Sequence, residues 1–297
     1  MRLLIFGGSG FVGSNIVYYA LEGGCEVIIA DKDKPEFITK AEWLPVELSD
    51  YESVKKVFIK AEPDVVVNVA AIADIDFAEK HKELASKINK DGAAYIARIC
   101  KKFKSKYIFF SSDAVFDGRG ESYSESDQVN PINYYGQTKA LAEKLIRSEN
   151  PESIIVRISL VLGFPLATGN SFVKSLKTKL QNNEKLKVPA DIIRTPIDVH
   201  TLSKVILELS EKDFKGIINI GCTEKIDRYL LTKKLAEALG YSQDNIEPVL
   251  STEDEIGKAH RHKNGILDVS KANQILNIKM LSLDQTIQNA VKQIEIK

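Results

Sequence analysis

Cysteine is scarce in this chain. Cys25, Cys100 and Cys222 lie far apart, with no Cys-x-x-Cys pair among them, which excludes a disulfide framework and the common zinc signatures. None has an activating neighbour in sequence, so all three are expected to behave as small buried hydrophobes. Net charge is lacking as well: 41 basic and 41 acidic residues cancel. A chain so balanced has no cationic field for nucleic acid or anionic membranes. Long apolar runs are also missing. The longest, Val65 to Ala73, is interrupted by Asn68 and falls short of the ~20 residues that span a bilayer. The opening MRLLIFGGSG has too short an apolar run for a signal peptide and passes straight into glycines. No repeats or low-complexity tracts stand out. These absences predict a soluble, cytoplasmic protein.

What is present is core material arranged in a regular rhythm. The 297 residues are 44% hydrophobic and 28% charged, enough for one large domain or two small ones. Runs at Arg2–Phe6, Glu26–Ala30, Asp64–Val69, Lys106–Phe110, Ser153–Ile158 and Gly216–Ile220 read as strands. They are continuously apolar rather than alternating, as strands covered on both faces should be. Helical patterns occupy Phe11–Glu22, Asp50–Ala61, roughly Ala78–Phe103 (one or two helices) and Ile132–Ser148. Further helices are expected at Asn170–Leu180, Val199–Leu209, Leu230–Leu239, Ser270–Leu276 and Leu283–Ile294. Strand–helix alternation at this pitch implies right-handed βαβ units. The fold class is therefore α/β, a doubly wound parallel sheet of Rossmann type. Its core is expected over residues 1–162, completed by about 196–221 and 269–297. Inserts at 163–195 and 222–268 would form a smaller substrate-binding lobe over the sheet's carboxyl edge.

Between the first strand and first helix stands GGSGFVG, with Gly7, Gly8, Gly10 and Gly13 enclosing Ser9, Phe11 and Val12. Glycine permits a tight turn, close approach of backbone to a pyrophosphate, and close helix–strand packing. The helix then directs free N–H groups and its positive dipole end at the phosphates. Asp31 follows Gly13 by 18 residues, the position of a carboxylate that accepts from the adenosine ribose hydroxyls. Its charge would repel a 2′-phosphate, so NAD is favoured over NADP, although Lys32 beside it pulls the other way.

Tyr135 and Lys139 form a Tyr-x-x-x-Lys pair in NYYGQTKALAE. On a helix this spacing puts both on one face, one turn apart. A free phenol titrates near ~10, and a neighbouring ammonium, helped by the positive charge of an oxidised nicotinamide, is expected to lower that value, suiting the tyrosine to protonate a carbonyl oxygen as hydride reaches its carbon. Upstream, KYIFFSSDAVFDG releases Ser111, Ser112 and Asp113 at the end of a buried run. A serine hydroxyl there can bond the same carbonyl oxygen.

With these residues assembled, the chain resembles the extended short-chain dehydrogenase/reductase family, most of all its dTDP-4-dehydrorhamnose reductase group. The resemblance rests on GGSGFVG, NVAAIADIDFAE at 68–79, Asn89, SSDAVFDG at 111–118, PINYYGQTKALAE at 131–143, VRISLVLG at 156–163, RTPIDV at 194–199 and RHKNGILD at 261–268. It implies catalysis by Ser112, Tyr135 and Lys139, with Asn89 positioning a water and the lysine. Asn68, Ala70 and Ala71 would line the cofactor cleft, Asp113 and Val115 would face the substrate, and Arg194 and Arg261 would meet its phosphates bidentately. The implied reaction is NADH- or NADPH-dependent reduction of the 4-keto group of a nucleotide-activated deoxysugar, and homodimers are common in the family. Some positions depart from the group's pattern: Ala114 for a tyrosine, Leu160 and Leu162 for aromatics, and Arg261-His262 for Arg-Pro.

The regulatory β subunit of methionine adenosyltransferase is similar too, which keeps open a non-catalytic dinucleotide-binding subunit. A nucleotide-sugar epimerase is a further alternative. A dehydratase would need an added acid where Ala114 follows Asp113. Three other features read as ordinary. His260 and His262 lack a third metal ligand and are expected on a surface or pyrophosphate-side loop. Asp74 and Asp76 precede a helix as caps. Glu253–Glu255 reads as a solvated charge run.

Overall fold

The six apolar runs, with one further edge strand, become seven parallel strands: β1 (Arg2–Phe6), β2 (Glu26–Asp31), β3 (Glu42–Pro45), β4 (Val65–Asn68), β5 (Lys106–Ser112), β6 (Ile154–Ile158) and β7 (Gly216–Ile220). The computed structural model describes residues 1–35, 40–167, 169–251 and 259–293, so Glu253–Glu255 lies outside them. Strand order across the sheet is β7-β6-β5-β4-β1-β2-β3, with every pairing parallel. The doubly wound α/β expectation is met.

Continuous apolar strands need cover on both faces, and the packing supplies it. Leu3 and Ile5 of β1 pack with Ile16, Val17, Leu202, Val205 and Ile206 on one side. Leu4 and Phe6, the alternate residues, pack with Val54, Phe58, Ile96, Ala97 and Ile146 on the other. Each such fully buried aliphatic or aromatic side chain contributes about 1.5–3 kcal/mol. Chain direction across the sheet reverses between β1 and β4, opening a crevice at their carboxyl ends, where ligands of such sheets bind.

Two elements differ from expectation. Strand β3 (EWLP) has no β-branched residue and ends in proline, so its pattern is silent. Edge pairing with β2, from Ile28 opposite Glu42 to Asp31 opposite Pro45, makes it a strand, and an edge tolerates proline. The helical stretch before β5 is divided into Ile75–Lys80, Lys82–Ala85, a π-helical turn Ser86–Gly92, and Ala93–Phe103.

A third apolar cluster lies within the later chain: Leu162, Phe164, Val173, Leu176, Cys222, Leu231, Leu235, Ile246 and Ile287. It joins helix Phe172–Gln181, capped by Ser171, to helix Arg228–Ala238. Short strands accompany it, with Leu186–Pro189 pairing Ile246–Val249, and Ile193–Arg194 between Ile226–Asp227 and Asn264–Gly265. All three cysteines are free, Cys100 and Cys222 fully buried. Among the described residues, no helix is long and apolar enough to cross a membrane, and no group of three His, Cys, Asp or Glu is placed to hold a metal ion.

Candidate active site

The glycine turn is built so that a Cβ fits nowhere but at one position. Gly7 has a φ of +80°, and a Cβ there would stand 2.8 Å from the Ala70 backbone; at Gly8 it would meet Ile29 at 2.9 Å, and at Gly13 it would collide with the Gly7 carbonyl. Gly10 alone is nearly open, its nearest neighbour being the Gly7 oxygen at 3.4 Å. Gly10 is also the N-cap of helix Phe11–Glu22, with no side-chain cap and no acid in the first turn. The first-turn N–H groups of Phe11, Val12 and Gly13 therefore lack intrahelical acceptors. A helix start with no side-chain cap and an open glycine, approached by the backbone of Gly169, fits a pyrophosphate.

Asp31 ends β2 beside this turn. Its carboxylate accepts from the Ser9 N–H (3.0 Å) and the Lys32 N–H (2.8 Å), which fixes it at the cradle's edge, while Lys32 is exposed. From β4, Asn68 accepts from the Ala70 N–H at 3.1 Å and donates to the Tyr107 hydroxyl at 3.1 Å. Ala70 thus abuts Gly7, with Ala71 half-buried beyond it.

Across the crevice, helix Tyr134–Glu149 starts on Asn133, whose side chain accepts from the Gly136 N–H at 2.8 Å and donates to the His260 carbonyl at 2.9 Å. Gly136 packs so tightly on the turn Asp113–Val115 that a Cβ would collide with the Ala114 carbonyl. This contact brings the half-buried Tyr135 phenol within interaction reach of the Ser112 hydroxyl. Lys139, one turn on and buried, donates to the Phe110 carbonyl at 2.8 Å, its Nζ lying 6.0 Å from the centre of the Tyr135 ring. Ser112, Tyr135 and Lys139 are together.

Asn89 is also buried. It accepts from the Ile72 N–H at 2.8 Å and donates to the Ile72 carbonyl and Thr138 hydroxyl at 3.0 and 3.1 Å. It ties the loop after β4 to the residue preceding Lys139.

Burial dominates the electrostatics of this pair. Burial pushes the Tyr135 phenol up to about 12, the Ser112 hydroxyl pulling down and the Asp113 charge pushing up. Burial likewise drags the Lys139 ammonium down to about 7, against the pull of Glu143. Desolvation penalises both charged forms. The phenol therefore rests protonated, the form an acid needs.

Behind Ser112 lies a buried charge cluster. Asp113 receives the Ser112 hydroxyl (3.0 Å) and the Ser159 hydroxyl (2.8 Å), and pairs with Arg194 Nε (3.1 Å) and His262 Nε2 (3.2 Å). Burial raises its pKa, yet His262 and Arg194 outweigh that and hold the carboxyl at about 2.

Several expected roles change with this geometry. Arg194 also donates to the carbonyls of Ile193, Lys263 and His262, so its fork is consumed inside the protein. Arg261 clasps Asp76 bidentately at 3.1 and 2.8 Å; Asp74 alone caps helix Ile75–Lys80. Val115 is fully buried with Phe116, Tyr123 and Leu267, making it core rather than site wall. His262, expected on a surface or pyrophosphate-side loop, is 3% exposed. Gly118, at φ +78°, leaves it room: a Cβ there would stand 2.7 Å from the His262 Cβ. The signal available in sequence was the Arg-His departure from Arg-Pro.

The sequence profile of the RmlD substrate binding domain matches residues 1–296. The chain belongs to that family. Among RmlD-family relatives, dTDP-4-dehydrorhamnose reductase of Aggregatibacter actinomycetemcomitans is 28% identical over 97% of each chain. A crystal structure of dTDP-4-dehydrorhamnose reductase from Bacillus anthracis in complex with NADP has a TM-score of 0.84 at 25% identity, covering 97% of this chain and 98% of that one. Methionine adenosyltransferase 2 subunit beta of Bos taurus is 27% identical, over 91% of this chain and 81% of its own.

Proposed function

We propose that the protein is an NAD(P)H-dependent reductase of the 4-keto group of a nucleotide-activated deoxysugar. The observation that carries this reading is the convergence of Ser112, Tyr135 and Lys139 across the crevice from an uncapped glycine cradle. Gly7 to Gly13 would hold the dinucleotide's pyrophosphate and Asp31 its adenosine ribose. The charge of Asp31 favours NAD, although the Bacillus anthracis relative holds NADP. When bound, a reduced nicotinamide would supply the hydride for the sugar's C4. Tyr135, protonated at rest, gives its proton to the carbonyl oxygen. Ser112 orients that oxygen, and Lys139, charged near and below neutrality, stabilises the phenolate left behind.

The test is loss of absorbance at 340 nm when purified protein, NADH and a dTDP-4-keto-6-deoxysugar are mixed. No oxidation of NADH or NADPH with any of a panel of 4-keto nucleotide sugars overturns the reading.

The similarity to the methionine adenosyltransferase β subunit supports a second reading, a dinucleotide-binding regulatory subunit. Copurification with a synthetase, and partner regulation unchanged in Tyr135→Phe, would favour it.

A further inference from the structure

Of three arginines within electrostatic reach of one another, two have their guanidinium groups bonded to the protein itself. Arg194 binds Asp113 and three carbonyls, and Arg261 binds Asp76. Arg228 differs. It opens helix Arg228–Ala238, where its backbone N–H donates to the Ile192 carbonyl at 2.9 Å. Strand Ile226–Asp227 runs antiparallel to Ile193–Arg194, which sets Arg228 next to the Arg194 strand. Among the described residues, its Nε is buried with no hydrogen-bond partner, and its side chain makes no ion pair. Its guanidinium lies over the Phe172 ring at 4.2 Å. Burial and the like charges of Arg194 and Arg261 pull its pKa down to about 10.

A half-buried guanidinium whose Nε is out of water and without a partner, facing two more cations, is costly to hold unpaired. Its planar fork matches phosphate oxygens. Phe172 fixes the plane of that fork, so little rotamer freedom is lost when an anion arrives. We propose that Arg228 is the anion-binding residue of the crevice and takes the diphosphate of the nucleotide-activated substrate, the role expected of Arg194 and Arg261. This rests on the reductase reading for the identity of the ligand, and on the unpaired guanidinium for the existence of the site.

Calorimetric titration of the NADH-loaded protein with dTDP, UDP, thymidine and inorganic pyrophosphate tests it, using wild type, Arg228→Met and Arg228→Lys. Methionine keeps the apolar contact with Phe172; lysine keeps the charge. In wild type a nucleoside diphosphate should bind about 10- to 100-fold more tightly than thymidine, the range of one or two charge-assisted hydrogen bonds. Arg228→Met should erase that advantage, leave NADH affinity unchanged and melt no lower than wild type. Arg228→Lys should retain part of it. Unchanged dTDP, UDP and pyrophosphate affinity in Arg228→Met overturns the proposal, as does a wild type that binds none of them. Arg228-dependent pyrophosphate binding without turnover of any 4-keto nucleotide sugar sinks the reductase reading and leaves the anion site standing. Reduction at wild-type kcat/KM by Arg228→Met does the reverse.

Discussion

The glycine cradle and the arginine cluster show two ways of making a site. In the cradle, a strand, a run of glycines and a helix follow one another directly: Gly13 is crowded by the Gly7 carbonyl of the same turn, Gly7 and Gly8 by Ala70 after β4 and Ile29 of β2, and Gly10 stays open. In the cluster, partners lie 69 residues apart for Arg194 and Lys263, and 185 apart for Arg261 and Asp76. The first is written in local pattern and the second in tertiary contact. A side chain's residue type tells what it can bind; only the fold tells whether it is already bound.

The sharpest way to break the comparison is to remove chemistry from the locally written part. Tyr135→Phe deletes one oxygen from a site whose backbone is fixed by Asn133 and Gly136. It should cost about 10²–10⁴-fold in kcat/KM, with NADH affinity and melting temperature near wild type. A variant that keeps more than a tenth of wild-type turnover with a 4-keto nucleotide sugar would remove Tyr135 as the acid.

Next comes the buried pair. Arg194→Met strips a charged partner from a carboxylate with almost no access to water. Breaking such a pair typically destabilises by about 3–5 kcal/mol, measurable by urea denaturation. The same cluster has a pH signature. Asp113's folded pKa is depressed to about 2, so it contributes stability above its unfolded value near ~4 that is lost as pH falls from there toward 2. Wild-type stability should drop across that window, and Asp113→Asn, already destabilised at pH 7, should drop less steeply. Parallel curves would mean that Asp113 is not held charged.

These variants also mark what was legible in the sequence. The sheet was readable because continuous apolar strands leave no other packing, and the triad because Tyr135 and Lys139 share a helical face with Ser112 at a strand end. The role of Val115 was misjudged because the tight turn Asp113–Val115 rotates its side chain into the core. His262 looked like a loop histidine because nothing local announces that Gly118, distant in sequence, vacates space for it. Arg228 gave no signal at all, since being unpaired is a property of its surroundings.

A smaller effect separates Lys139's structural cost from its chemical use. Its folded pKa is lowered to about 7, so the unfolded chain binds the proton more readily between 7 and its ordinary value of about 10.4. Stability should therefore rise with pH through that window, the full penalty being present below 7. Lys139→Met, inactive as an enzyme, should exceed wild type in melting temperature most at pH 7 and below, and the gap should shrink toward pH 10. A gap that is constant with pH would place the lysine's titration elsewhere.

The smallest change tests the edge of the cradle, where local pattern and specificity meet. Asp31 holds the Ser9 and Lys32 N–H groups, so its charge is pinned where the adenosine ribose would lie. Asp31→Ser keeps a short polar side chain but removes the charge that a 2′-phosphate would oppose, leaving exposed Lys32 to attract it. The ratio of NADPH to NADH dissociation constants, read by nucleotide fluorescence, should shift by about tenfold toward NADPH. Because the serine can still accept from a ribose hydroxyl, NADH binding should weaken only modestly. A ratio that does not move would mean the carboxylate merely braces the glycine turn and cofactor choice is decided by other residues.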